Sequence, residues 1–251
     1  MILEGKKGPL VVAHRGSSGS APENTMAAFR MAAEAGADMI EFDVRMTRDC
    51  QLVVHHDRVL GRTSNGRGRV SDLTLREMKA IDAGSWYSRL HRGERIPTLR
   101  EVLVGLPRTL GMNIEVKTDR DRRGGVVFEE TLVLLLKENS RAGTVLVSSF
   151  NHRFLRRLRA VDPSVHTGTL YMPVRDRLYS AARLAGRARA SAFICSRTQL
   201  RERYVRSAHR SGVAVAVYGI QTRDHLAAAC RREVDAVITN YPERMLRALG
   251  R

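Results

Sequence analysis

Nine short apolar runs alternating with amphipathic stretches along 251 residues predict an α/β fold, a (β/α)8 TIM barrel. Two further observations shape that expectation. Many of the runs are apolar throughout, as strands covered on both faces are. One pair of runs is too close in sequence to be parallel neighbours, which need a dozen or so connecting residues. That pair is expected to form a hairpin, with a small cap inserted between it and the next helix. The whole chain, 1–251, then reads as one barrel domain with the cap at 58–96.

In chain order, the strand runs are Leu10–His14, Met39–Val44, Leu52–His56, Asn113–Lys117, Val145–Phe150, His166–Leu170, Phe193–Cys195, Val213–Tyr218 and Ala236–Thr239. Helices are expected at Thr25–Ala35, Thr98–Val104, Phe128–Asn139, Arg153–Val161, Arg175–Ala185, Arg201–Ser211, Arg223–Arg232 and Glu243–Leu249. Asn24 is placed to cap the first helix, and Gly36 to stop it in the left-handed region. Asp162-Pro163 ends a later helix. Only the turn Arg48-Asp49-Cys50 separates the second run from the third. Folding about Asp49 brings Asp43 near His55 or His56 and leaves eight barrel strands plus one returning strand. The stretch Arg58–Ile96, with five glycines, many arginines and the only tryptophan, Trp86, reads as a cap at the barrel mouth.

Composition narrows the class of protein. A hydrophobic content of 43% supports a large core. No apolar run approaches the roughly 18–20 residues of a membrane span. The best, Thr131 to Leu136, reads as part of an amphipathic helix, and Met1 to Leu10 holds no signal-like apolar region. A cytoplasmic location is the expectation. Three widely spaced cysteines, Cys50, Cys195 and Cys230, suggest neither a disulfide framework nor a metal motif. The net charge is +17, and 38 of the 43 basic residues are arginine. Such a charge favours anionic partners: phosphate substrates, acidic lipid surfaces or nucleic acid. Its even spread along the chain reads first as solvated helix faces, consistent with at most weak association with acidic membranes. Aromatic residues make up only 5%, so a stacking platform for single strands, and with it a specific nucleic-acid partner, is not expected. Oligomeric state is left open.

Barrel enzymes gather chemistry at the carboxyl ends of their strands. Here those ends read His14-Arg15, Glu41-Phe42-Asp43, His56-Asp57 and Glu115-Val116-Lys117. Glu41 and Asp43 are two apart and point to one side, with Ile40, Phe42 and Val44 on the other. Two inward carboxylates repel, and Glu115 adds a third. Their alternative is a salt-bridge network with Arg45 and Arg48; the repeated alternation at Glu115 and Lys117 favours a cation. All-oxygen ligation suits Mg2+ or Ca2+. His14 alone would read as a core residue. With His56 arriving on another strand, the two become a general acid and base pair beside a metal-bound phosphate. His56, not His55, is expected to face the mouth. Arg15 and Lys117 would neutralise phosphoryl oxygens, and Tyr218 is a candidate aromatic wall of the substrate pocket.

These residues fall within motifs that resemble the glycerophosphodiester phosphodiesterase family. The motifs are Val12-Ala13-His14-Arg15-Gly16, Ala21-Pro22-Glu23-Asn24-Thr25, Gly36-Ala37-Asp38, Glu41-Phe42-Asp43-Val44 and Thr47-Arg48-Asp49. They continue through Val53-Val54-His55-His56-Asp57, Arg62-Thr63-Ser64-Asn65-Gly66-Arg67-Gly68, Ile96-Pro97-Thr98-Leu99 and Asn113-Ile114-Glu115-Val116-Lys117. Val147-Ser148-Ser149-Phe150 and Ile238-Thr239-Asn240-Tyr241-Pro242 follow. The resemblance spans nearly the whole chain. It implies a capped barrel that cleaves small-molecule glycerophosphodiesters to glycerol 3-phosphate and an alcohol. His14 and His56 would be its acid/base pair, Glu41, Asp43 and Glu115 its metal ligands, and Arg15 and Lys117 its phosphate contacts. A lysophospholipase D-like activity on lipids is the alternative enzyme. The chain departs from the family at Cys50, where Gly is usual, and at Tyr218-Gly219-Ile220-Gln221, in place of a Trp-Thr-Val-Asn run. It departs again at Asn240, where Asp is usual. These changes are expected to alter the alcohol and glycerol pockets and to leave the chemistry intact.

Overall fold

The computed structural model describes residues 8–118, 127–141 and 144–251; the reading of the first seven residues as part of a signal-free N-terminus lies outside them. Among the described residues nine strands form one sheet: β1 Leu10–His14, β2 Met39–Met46, β3 Leu52–Val54, β4 Gly111–Val116, β5 Val145–Ser149, β6 His166–Leu170, β7 Ala192–Ser196, β8 Ala214–Tyr218 and β9 Ala236–Thr239. Eight are parallel, and pairing of β1 with both β9 and β2 closes them into a barrel. The ninth, β3, runs antiparallel along the protruding end of β2. The pairs Val44 to Val54 and Met46 to Leu52 are symmetric about Asp49, as the hairpin reading requires. Strand β3 stops at Val54, earlier than expected, but the His55 N–H still donates to the Asp43 carbonyl at 2.9 Å.

Helices cover the outside: α1 Met26–Glu34, α2 Leu75–Lys79, α3 Leu99–Gly105, α4 Val127–Glu138, α5 His152–Val161, α6 Pro173–Asp176, α7 Ala181–Ala188, α8 Glu202–His209, α9 Arg223–Cys230 and α10 Pro242–Ala248. Two expectations need correction. Thr25, not Asn24, caps α1: the Thr25 hydroxyl accepts from the Ala28 N–H, while Asn24 sits at φ 60 and turns its amide inward. The single helix expected at Arg175–Ala185 is two, α6 and α7. Asp176 folds back to accept from the Met172 N–H at 2.9 Å, and Ser180 starts a new helix by capping Arg183. The first follows from the bonds of Asn24 to Asp43, 19 residues away; the second has a local cause. Short polar side chains hydrogen-bond nearby backbone and compete with a continuous helix.

The strand pattern divides the apolar residues between two layers. Ile40, Phe42, Val44 and Ile114 face the helices, where Phe42 packs on Phe29 with ring centroids 5.4 Å apart. The inward positions pack as a separate core that includes Leu10, Val12, Met39, Leu146, Ile194, Ala216 and Ile238. That inner core is apolar at the lower turns of each strand. Two residues further along, the same columns become polar: Val12 gives way to His14, Met39 to Glu41, and Leu146 to Ser148. Strand polarity therefore sets the chemistry at one end of the barrel.

Residues 58–96 contribute α2 and two single 3-10 turns, Val70–Asp72 and Arg89–His91. Leu60, Val70, Met78, Ile81 and Ala83 of this segment bury themselves with Val53 and Ile96 in a small cluster of their own. Tyr87 ties the segment to the loop after β1 by donating to the Gly19 carbonyl at 3.1 Å. No helix among the described residues is long and apolar enough to cross a membrane.

Candidate active site

Register assembles the site. Parallel pairing sets His14 beside Glu41 and Asp43 beside Glu115. One oxygen from each of Glu41, Asp43 and Glu115 lies within 4.8 Å of the others. A cavity of about 180 Å3 opens above them, lined by His14, Arg15, Glu41, His56, Asn113, Glu115, Lys117 and Ser148 on its polar side. Phe150, Leu170, Ile194, Tyr218 and Ile238 complete the wall. The structure thus brings all eight sequence-predicted site residues to one place, seven at the wall and Asp43 fully buried beneath it.

The turn after β1 aims two of these groups. Arg15 and Gly16 are both left-handed, at φ 55 and φ 81. A Cβ on Gly16 would come within 2.6 Å of the Ala28 backbone, so only glycine allows α1 to approach here. The turn directs the Arg15 N–H to Glu41 Oε2 at 3.1 Å. It also places the guanidinium between Glu23, at 2.7 Å, and Asp43, at 3.1 Å. Lys117 lies between Asp43, at 3.0 Å, and Glu115, with which it makes a short contact. Asn24 donates to Asp43 Oδ2 at 2.9 Å and accepts from the Asp43 N–H. Arg45 turns instead to the His56 carbonyl, at 2.9 and 2.7 Å, and Arg48 pairs with Glu77 at 3.5 Å.

Charge is unevenly settled across the three carboxylates. Burial opposes ionisation of Asp43, but Lys117 and Arg15 beside it hold its carboxyl well below the usual range. Glu41 is pushed up to about 8, first by burial and then by the Asp43 charge. Glu115 is pushed up to about 7 for the same reasons. Glu41 Oε1 is buried with no hydrogen-bond donor. An unpartnered buried carboxylate oxygen beside two more carboxylates is what a divalent cation resolves, and the all-oxygen donor set fits Mg2+ or Ca2+.

A pH dependence follows. Glu41 and Glu115 bind protons more tightly in the folded than in the unfolded chain, so the cation-free protein loses stability as pH rises from about 6.5 to 8; below that, the buried histidines, whose pKa values are lowered, oppose the effect. Asp43 acts in the opposite sense, but only in acid, below that window. In chelator the melting temperature is expected to fall by roughly 5–10 °C across that range. A divalent cation should raise it most at the alkaline end. A flat melting profile between those pH values would show that the two glutamates are not strained.

The imidazoles are held from behind. His14 Nδ1 lies 2.7 Å from Asn240 Oδ1, an acceptor, so Nδ1 donates and Nε2 is left to the cavity, 3.8 Å from Glu41. His56 Nδ1 donates to Asp57 Oδ1 at 2.6 Å. Burial lowers the pKa of both, and Arg15 lowers that of His14 further. His55 is nearly fully buried and away from the cavity. Asp57 in turn accepts from Arg62 at 2.6 Å, and Arg62 also grips Glu23, which holds Arg15. A single ionic chain thus runs His56–Asp57–Arg62–Glu23–Arg15–Asp43, tying the segment 58–96 to the floor of the site.

Sequence reasoning assigned no part in the site to Glu23, Asp57, Arg62, Asn113, Ser148 or Asn240, and read Asn24 only as a helix cap. All seven stand inside the family-like motifs, which was the available signal. The departure at Asn240 was also misplaced. It falls on the partner of His14, giving that imidazole a neutral support where His56 has a carboxylate.

A closed (β/α)8 barrel that gathers three carboxylates, two imidazoles and two cationic side chains at the strand ends is a barrel enzyme suited to a phosphate ester. The model of the glycerophosphoryl diester phosphodiesterase family matches residues 14–244, and the chain belongs to that family and is an enzyme of that class. It is 38% identical over 239 residues to a glycerophosphodiester phosphodiesterase of Caldanaerobacter subterraneus subsp. tengcongensis, covering 94% of this chain and 96% of that protein. Among solved structures it is similar to an Oleispira antarctica phosphodiesterase in complex with the product sn-glycerol-3-phosphate. That similarity has a TM-score of 0.88 and 28% identity, covering 97% of this chain and 98% of the other. A Silicibacter pomeroyi structure, at TM-score 0.89 and 24% identity over 98% of this chain and 95% of that one, supports the fold alone.

Proposed function

We propose that this chain hydrolyses glycerophosphodiesters to glycerol 3-phosphate and an alcohol by paired acid/base catalysis from His14 and His56. The observation that carries this reading is the presence of both imidazoles in the cavity that holds the Glu41, Asp43 and Glu115 cluster. One imidazole takes the proton of the attacking oxygen, either water or the substrate's own 2-hydroxyl. The other gives a proton to the departing alcohol oxygen. When bound by the three carboxylates, Mg2+ or Ca2+ supplies a Lewis acid for the phosphoryl oxygen. Lys117 and Arg15 bring positive charge to the same wall and offset charge on the phosphoryl group. Tyr218 closes the alcohol side, and residues 58–96 act as a cap that excludes water through the Arg62 link.

A second reading is a lysophospholipase D-like activity. Phe150, Leu170, Ile194 and Ile238 favour it, because they give the cavity an apolar side that a purely hydrophilic substrate does not need.

Both are tested by one panel: water-soluble glycerophosphodiesters and lysophospholipids, each assayed in chelator, Mg2+ and Ca2+. Release of glycerol 3-phosphate from the soluble diesters is expected only with a cation. Undiminished turnover in chelator, or no release from any diester, would overturn the proposal. Cation-dependent turnover of lysolipids alone would favour the second reading.

A further inference from the structure

Above the apolar wall of the cavity, the rim exposes more apolar surface than the core requires. The segment after β6 presents Val174 and Leu178 at 92% and 84% exposure, with Met172 beside them at 39%. Singly, exposed apolar side chains are ordinary. These three differ in being held out by a fixed support. Buried Asp176 accepts from the Met172 N–H at 2.9 Å and from Arg175 at 2.6 and 2.7 Å. Arg175 also donates to the carbonyl of Phe150 at 2.7 Å, and Phe150 lines the cavity. The exposed prongs are therefore braced against the apolar side of the site itself.

The charge around them is one-signed. β5, β6 and β7 are neighbours in the barrel, and just past their carboxyl ends stand the exposed side chains of Arg153, Arg177 and Arg197. The acids of this sector are already paired: Asp176 with Arg175, and Glu202 with Arg206 at 3.4 Å. Apolar prongs with exposed arginines on their own segment and past the two neighbouring strand ends combine the two attractions that hold a protein at an anionic bilayer, burial of apolar surface and pairing with lipid phosphates. A second copy of this chain would bring the same positive charge to the contact and be repelled.

We propose that the β5–β7 sector of the rim docks the enzyme on an anionic lipid surface, turning the cavity mouth toward phosphodiesters carried by that surface. The orientation of the cavity toward such substrates rests on the function proposed above, whereas the docking does not. The two can therefore fail separately.

The test is co-sedimentation with phosphatidylcholine vesicles, with and without phosphatidylglycerol, in chelator so that no turnover intervenes. The wild type is expected to bind the anionic vesicles and to ignore the neutral ones. The double variant Val174→Ser/Leu178→Ser keeps the charge unchanged. It should lose about tenfold in vesicle affinity while turning over soluble glycerophosphodiesters as the wild type does. Arg210→Gln/Arg232→Gln, at the opposite end of the barrel, removes two charges and should bind almost as the wild type. The proposal is overturned if the serine variant binds undiminished, or if the Arg210/Arg232 variant loses as much, since diffuse charge would then suffice. It is equally overturned if light scattering shows that Val174 and Leu178 hold two copies together, or if the wild type ignores anionic vesicles.

Discussion

His14→Ala and His56→Ala are each expected to cut turnover of a glycerophosphodiester by at least about a thousandfold, with fold and cation binding retained. The argument is geometric first. Each imidazole reaches the cavity with one nitrogen because the other is occupied behind it, by Asn240 for His14 and by Asp57 for His56. Neither makes a contact on which the barrel depends. His14, at the end of β1, and His56, in the loop after β3, are about a third exposed, at 30% and 32%, so alanine leaves no sealed cavity in the core. The pKa shifts support the same assignment. Burial lowers both, so near neutral pH an imidazole is available as a base. The partner that favours an imidazolium is a carboxylate at His56 and a neutral amide oxygen at His14. The two variants should therefore differ in the pH dependence of their residual turnover. The measurement is kcat/KM for each variant beside its melting temperature and cation affinity. Near-normal turnover in both variants would remove the histidines from the mechanism. A collapse of melting temperature would make them structural.

How much of this site was legible beforehand depends on the kind of interaction. Strand periodicity was enough to place Glu41 and Asp43 on one side, because alternation fixes the face without knowledge of the fold. The hairpin followed from loop length alone, and its centre at Asp49 was recovered in the Val44 to Val54 pairing. What periodicity does not carry is what lies behind a catalytic group. Asn240 and His14 are 226 positions apart, and only closure of β9 onto β1 brings them together. Arg62 reaches Glu23 from the segment 58–96 for a similar reason. The helix misjudged at Arg175–Ala185 is a local failure of another kind. Its residues have good helical periodicity, but Asp176 and Ser180 find better hydrogen bonds in a turn. That turn is also what holds Val174 and Leu178 out in solvent, so the part hardest to read locally is the part that shapes the rim. Cys50 stands at φ 60, where glycine would be unstrained, as its position in the hairpin turn implied.

The second large effect concerns the carboxylates, and it has opposite signs for stability and activity. Glu41→Gln is expected to abolish cation-dependent turnover, by about a thousandfold or more, while raising the melting temperature of the chelated protein by a few degrees. Glu41 is the least well supported charge in the site. Its Oε1 is buried without a donor, and burial and Asp43 push its pKa up to about 8. Ionising it in the cation-free fold is costly, and a neutral amide of the same size removes that cost. Asp43→Asn should behave differently. Asp43 faces both Lys117, at 3.0 Å, and Arg15, at 3.1 Å, so its neutral form leaves two buried cations less well compensated. It is expected to lose turnover to a similar degree and to lower the melting temperature as well. Calorimetric titration with Mg2+ and Ca2+, thermal melts in chelator and steady-state assays on the same two variants separate these outcomes. A stabilised, cation-blind Glu41→Gln beside a destabilised Asp43→Asn is the pattern of a site strained for function rather than for folding. If Glu41→Gln kept its cation affinity and turnover, the carboxylates would be an internal salt-bridge network with Arg15 and Lys117, and the hydrolysis would need another source of electrophilic assistance.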